Sequence, residues 1–163
     1  APARRPGTMA DWDQPGEWLP SGSWLTHKGG NHVTYGITPT QGTFSFQIWR
    51  KDGRRLQWFV NHTDSRNYVL FQLERKNFIR KEYVNGKDRN ERKTSHSLPE
   101  IDNYSIQIDV SPEAVITRGY NGTDWVQLDS YSSPGPDLTQ GKFGLYIPGG
   151  EPFGLNNFRF IPK

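Results

Sequence analysis

The sequence predicts an all-β protein, an antiparallel two-sheet jelly-roll sandwich with little or no helix. Three observations carry that prediction. From Ser23 onward, short runs rich in aromatic and β-branched residues alternate with turn residues. Asp52-Gly53, Asn85-Gly86 and Asn121-Gly122 stand between such runs, and these pairs tolerate the positive φ angles of a two-residue type I′ hairpin turn. No segment sustains the apolar period of an amphipathic helix.

The elements follow in order. Residues 1–22 are interrupted by Pro2, Pro6, Gly7, Pro15, Gly16, Pro20 and Gly22. They read as an extended lead-in or linker, with Trp12 and Trp18 packing its second half onto a domain formed by residues 23–163. Strands are expected over 24–27, 33–37, 43–50, 55–61, 68–74, 78–84, 88–94, 104–110, 115–120, 125–131, 142–147 and 155–161. Side chains alternate between the two faces of a strand, so each run divides. Phe44, Phe46 and Ile48 take one face, and Ser45, Gln47 and Trp49 the other. Val69, Phe71 and Leu73 oppose Tyr68, Leu70, Gln72 and Glu74. Tyr104, Ile106, Ile108 and Val110 oppose Ser105, Gln107 and Asp109. Over 55–61 parity does not decide, because Leu56, Trp58 and Val60 compete with Phe59 for the core.

Composition narrows the function. The 163 residues suit one domain. There is no cysteine, which excludes thiolate metal sites, thiol nucleophiles and disulfides. Six Trp, seven Tyr and nine Phe mean that rings must build much of the core. With 20 basic and 17 acidic residues the net charge is +3, too balanced for the footprint of a nucleic-acid binder. The basic residues between Arg75 and Lys93 read as a solvated strand pair. No apolar run approaches the ~18 residues of a membrane-spanning helix, so no membrane insertion is expected.

The strand segments carry a resemblance. Gly42-Thr-Phe-Ser-Phe-Gln-Ile-Trp49, Gln57-Trp-Phe-Val-Asn61 and Asn67-Tyr-Val-Leu-Phe-Gln-Leu73 look like the sheet of concanavalin A-like lectins and glucanases. The closing Gly141-Lys-Phe-Gly-Leu-Tyr-Ile147 and Leu155-Asn-Asn-Phe-Arg-Phe160 resemble the ends of laminin-G-like and keto-disaccharide-hydrolase-like jelly rolls. The resemblance covers roughly residues 23–163 and implies architecture. That superfold carries lectins, carbohydrate-binding modules, hydrolases and interaction domains alike.

An active site is not evident. Retaining glucanases of this superfold resemble one another in a Glu-x-Asp-x-x-Glu strand motif. Here Glu100-Ile-Asp102 matches its first half, and Asn103, Tyr104 and Ser105 follow where a third carboxylate belongs. His27, His32, His62 and His96 show no metal-binding spacing. The loop 61–67 offers calcium a single carboxylate, Asp64, against the six to eight oxygens that ion takes. No catalytic residue, metal site or cofactor is therefore assigned, with Ca²⁺ at that loop a minor alternative.

Glycan binding fits better. A saccharide presents apolar C–H faces and hydroxyl edges, so its site combines exposed rings with planar polar partners. Gln47, Trp49, Tyr68, Gln72 and Gln107, with Trp58 and Arg80, supply those types, and Asn61 and His62 add rim donors. Trp49 is the expected stacking ring. The sequence thus reads as a non-catalytic glycan-binding module of an exported or envelope-associated bacterial protein, extracellular or periplasmic and attached to further domains. A structural or protein-interaction domain of the same fold is the alternative, and a divergent sugar-processing hydrolase the second.

Overall fold

The computed structural model describes residues 8–50 and 55–163. Its strands are β1 (Leu19–Ser21), β2 (Trp24–Lys28), β3 (His32–Thr34), β4 (Gly42–Arg50), β5 (Leu56–Asp64), β6 (Asn67–Leu73), β7 (Asn77–Val84), β8 (Lys87–Ser95), β9 (Asn103–Val110), β10 (Ala114–Tyr120), β11 (Trp125–Ser132), β12 (Lys142–Tyr146) and β13 (Pro152–Pro162). They form a seven-stranded sheet in the order β1-β2-β13-β4-β9-β10-β11 and a six-stranded sheet in the order β3-β12-β5-β6-β7-β8. Every strand pair among the described residues is antiparallel. The only helical elements there are two single 3₁₀ turns, Met9–Asp11 and Pro15–Glu17. The expected two-sheet antiparallel sandwich is what forms.

Turn chemistry works as expected at one of the three hairpin pairs. Asn85 and Gly86 adopt φ values of 52° and 83°, joining β7 to β8. Asn121-Gly122 behaves differently, correcting the expected two-residue turn. The Asn121 side-chain oxygen accepts the N–H groups of Thr123 and Asp124 at 2.8 Å, and the Asn121 N–H donates to the Asp124 carbonyl. A four-residue loop results, because the asparagine caps the turn through its side chain instead of adopting positive φ. Asp52-Gly53 and residues 1–7 of the lead-in lie outside the described residues. The rest of the lead-in belongs to the fold. Trp12 and Trp18 are buried, and Leu19–Ser21 pairs with β2 at the sheet edge, where Pro20 costs no ladder bond. The strand expected over 33–37 stops at Thr34, because Tyr35 bridges to Trp12.

Strand parity holds in β4, β6 and β9. Phe44, Phe46, Ile48, Val69, Phe71, Leu73, Tyr104, Ile106, Ile108 and Val110 all join the core between the sheets. Few aliphatics are available, so stacked rings fill the space. Phe44 lies 4.2 Å from Phe143 of the opposite sheet and 4.3 Å from Phe160, each pair stacked within 21° of parallel. The undecided strand resolves in favour of Leu56, Trp58 and Val60. Phe59 turns outward into a second cluster with Tyr68 and Leu70.

At one margin the two sheets are joined by polar side chains. Arg80 of β7 donates to Asp129 of β11 at 2.8 Å, and its guanidinium sits 4.5 Å from the Tyr131 ring centroid. The Tyr131 hydroxyl donates to Glu82 at 2.5 Å, and Glu82 also accepts from Arg89 and Asn90. Burial pushes the Glu82 carboxyl up, but the Tyr131, Asn90 and Arg89 hydrogen bonds outweigh it and hold the pKa below the ordinary value. Removing one partner of such a pair leaves a buried charge uncompensated.

Trp58 is fully buried, in edge contact with Phe46 and tilted on Phe78. Trp58→Ala should cost roughly 3–5 kcal/mol, the usual range for emptying a buried aromatic site. Chemical denaturation checks this. A loss below about 1 kcal/mol would mean the ring is not the packing element described.

Candidate functional site on the seven-stranded sheet

The outer face of the seven-stranded sheet is built by the residues alternating with the core. Ile48 and Leu155 point inward, so Trp49, Gly154 and Asn156 point outward. Leu25 packs on the core, so Trp24 is outward. Gly119 and Val126 face inward, so Tyr120 and Trp125 are outward. Across the strands the register aligns these positions. Thr26 pairs with Gly154, Gly154 with Trp49, and Trp49 with Asn103. In the adjacent row Asn156 pairs with Gln47 and Gln47 with Ser105. One residue beyond the Gly119–Ile106 pair, Tyr120 continues that row, and Tyr120 pairs with Trp125.

This face is polar but carries rings. Trp24 and Trp49 are half-buried, while Tyr120 and Trp125 are 36% and 44% exposed and touch each other at 5.4 Å. Gly154 leaves space for Trp24: a Cβ there would lie 3.3 Å from the indole. The Asn156 amide donates to the Gln47 side-chain oxygen at 2.9 Å, fixing the orientation of both amides. Gln107 stands between Ser45 and Arg118. Farther along, Asp109 accepts from Arg118 at 2.5 Å and from Thr43 at 2.7 Å. Burial raises the Asp109 pKa, but those two hydrogen bonds win and hold it below the ordinary value. The carboxylate is therefore ionised and already partnered.

The other residues expected at the site lie elsewhere. Trp58 is in the core and cannot touch a ligand. Arg80 points inward because it pairs with Phe71, and its guanidinium is held by Asp129. Asn61, His62, Tyr68 and Gln72 belong to the six-stranded sheet, on the opposite side of the sandwich. Alternation within a strand separates faces but does not assign strands to sheets, so one expected cluster divides into two.

On that second face the side chains satisfy one another. Asn61 takes φ 55° and donates to the carbonyls of Asp137 and Gln140. The Gln57 amide donates to Gln72 at 2.8 Å, and both are buried. Tyr68 stacks on Tyr83 at 4.7 Å and on His62 at 5.6 Å, and meets His32 edge-on. His32 also meets Tyr146 edge-on. His32 Nδ1 and His62 Nε2 share a hydrogen bond of 3.0 Å. Burial, with Tyr83 and Tyr146 adding to it, pushes the Tyr68 hydroxyl up to about 12. Burial first, then the neighbouring His32, brings His62 down to about 4.

Asp64 accepts the Arg66 N–H at 2.8 Å and the Asn67 amide at 2.9 Å, which is turn capping. Among the described residues no three His, Asp or Glu side chains group as metal ligands. Glu100 and Asp102 are exposed ahead of β9. Glu100 lines a cleft of about 960 Å³ with Glu74, Arg55, Arg75, Lys76 and Lys93, in which Arg55 faces Glu74 at 3.8 Å.

The His62 environment sets a pH dependence. Folding lowers its pKa from 6.5 to about 4, so between those values the unfolded chain binds the extra proton. Its contribution to stability is thus intact above pH 6.5 and lost as the pH falls toward 4. Thermal melts across that window should show a decline that His62→Gln reduces. An equal decline in the variant would assign the acid sensitivity to other groups.

No family model and no curated sequence matches the chain. Solved structures match it in shape. The carbohydrate binding module CBM66 from Bacillus subtilis superposes with a TM-score of 0.61 at 14% identity, covering 86% of this chain and 88% of that one. The xylan β-1,4-xylosidase from Bacillus halodurans C-125 gives 0.63 at 11% identity over 97% of this chain but 39% of the enzyme. The Caenorhabditis elegans galectin LEC-6 gives 0.55 at 6% identity over 85% of this chain and 99% of that one. At these identities the likeness is one of architecture, and together with the two-sheet topology it shows that this chain has the concanavalin A-like jelly-roll fold.

Proposed function

We propose that this domain binds carbohydrate without transforming it, through the outer face of its seven-stranded sheet. One observation carries the reading. Trp24, Trp49, Tyr120 and Trp125 occupy a single band of that face, separated by Gly154, Asn156, Gln47, Asn103 and Ser105. Partly exposed rings supply stacking surfaces for sugar C–H faces, and the short amides and hydroxyls between them reach the sugar hydroxyls. On the opposite face Phe59 and Tyr68 are buried in a ring cluster and the Gln57 and Gln72 amides are buried against each other, whereas Tyr120 and Trp125 are exposed. The fold likeness to a carbohydrate binding module and a galectin supports the reading, which goes with an extracellular or periplasmic setting and needs no cofactor. A hydrolytic role would need two carboxyl groups facing across a scissile bond. The partly exposed rings stand among amides and hydroxyls, with Asp109 farther along the face already bound to Arg118 and Thr43.

The test begins with a glycan array and continues with Trp49→Ala on the glycans selected. Affinity should fall roughly tenfold, the worth of one stacked ring. The melting temperature should stay close to that of the parent, since the ring is outside the core. Tyr83→Ala, on the opposite face, should leave affinity unchanged. Loss of binding with Tyr83→Ala but not with Trp49→Ala would move the site to the six-stranded sheet.

A further inference from the structure

Resting on that reading, we propose that the ligand is a straight β-1,4-linked hexose chain of the glucan or mannan type, lying across the strands of the seven-stranded sheet. The argument comes from which strands carry rings. In the order β1-β2-β13-β4-β9-β10-β11, the rings sit on β2 (Trp24), β4 (Trp49) and β10 (Tyr120), with Trp125 of β11 against Tyr120. The strands between them, β13 and β9, present Gly154, Asn156, Asn103 and Ser105. From β2 to β10, ring and small residue therefore alternate from strand to strand, and β11 adds Trp125 beside Tyr120.

Neighbouring strands lie ~4.8 Å apart, so the ring-bearing strands recur about every 10 Å. That is the length of the two-sugar repeat in an extended β-1,4 chain, where successive pyranoses are turned over and every second one presents the same face. A chain laid across the strands thus brings an equivalent sugar face to each ring-bearing strand. The turned-over sugars fall on β13 and β9, where a large side chain would lift the chain off the surface. Gly154 carries no side chain of its own and receives the edge of the Trp24 indole, while Asn156 of β13 and its partner Gln47 of the neighbouring β4 keep Asn156 Oδ1 and Gln47 Nε2 outside their mutual hydrogen bond, turned to the equatorial hydroxyls there. The rings also stay near one transverse line. Trp24 and Tyr120 belong to the row of Asn156, Gln47 and Ser105, one side-chain repeat from Trp49, and the edge of the Trp24 indole reaches toward Gly154 in the Trp49 row. From β2 to β11 the band crosses five strand intervals, roughly 24 Å, the length of about five sugars. An α-1,4 chain curls and cannot keep contact with a band of this length.

Isothermal titration of the intact domain with cello- and manno-oligosaccharides from two to six sugars tests the proposal, with maltohexaose as the curved comparison. Affinity for at least one β-1,4 series should climb at least tenfold from the disaccharide and level off near five sugars, with maltohexaose far weaker. Trp24→Ala and Trp125→Ala should each bring the hexasaccharide down toward the shorter ligands and leave the disaccharide unaffected if it sits on Trp49. Circular dichroism confirms that both variants remain folded. If the domain binds other glycans through Trp49 but shows no length dependence in the β-1,4 series, the chain proposal is overturned and the glycan reading stands. If no glycan binds, both fall.

Discussion

Phe44 stacks on Phe143 across the sandwich and on Phe160 within its own sheet, and the rest of β4 follows from that contact. Because alternate residues of a strand point opposite ways, placing Phe44 inward also places Phe46 and Ile48 inward and Trp49 outward. A slip of one residue would bury Ser45, Gln47 and Trp49 and expose three apolar side chains. The neighbours β13 and β9 are fixed against β4 through Leu155 and Ile106, so Gly154, Asn156, Asn103 and Ser105 are outward for the same reason. The direction of these side chains is thus a by-product of core packing.

The two outer faces show how similar residues acquire different availability. On the six-stranded sheet, His32 of β3, Tyr146 of β12, Phe59 and His62 of β5, Tyr68 of β6 and Tyr83 of β7 stand on consecutive strands and pack ring against ring. Their mutual burial holds His62 neutral down to acid pH and raises the Tyr68 hydroxyl. On the seven-stranded sheet β2, β4 and β10 are separated by strands carrying glycine, asparagine and serine, Trp125 of β11 touches Tyr120, and all four rings are at least partly exposed. Spacing, not residue type, separates a packed aromatic cluster from a row of rings spread across the sheet.

The polar clamp of Arg80, Asp129, Tyr131 and Glu82 illustrates a related point. An arginine on a half-polar strand reads from its type as a surface residue. Here it lies opposite Phe71 and reaches the other sheet, where a carboxylate and a ring face receive it. Such a pair joins the sheet margins where apolar side chains give way to polar ones.

The sequence by itself determined the all-β class, the inward stripes of β4, β6 and β9, and the outward direction of Trp49, since each depends on side-chain alternation within one strand. It also determined the Asn85-Gly86 hairpin, because positive φ is a local property. Only the tertiary structure decided that Trp49 lies apart from Tyr68 and Gln72, and that Trp24, Tyr120 and Trp125 are its companions. Strand order brings residues far apart in the chain to neighbouring strands, and no local pattern encodes that order. The same holds for Trp58, whose burial depends on Phe46 and Phe78 of other strands meeting it between the sheets.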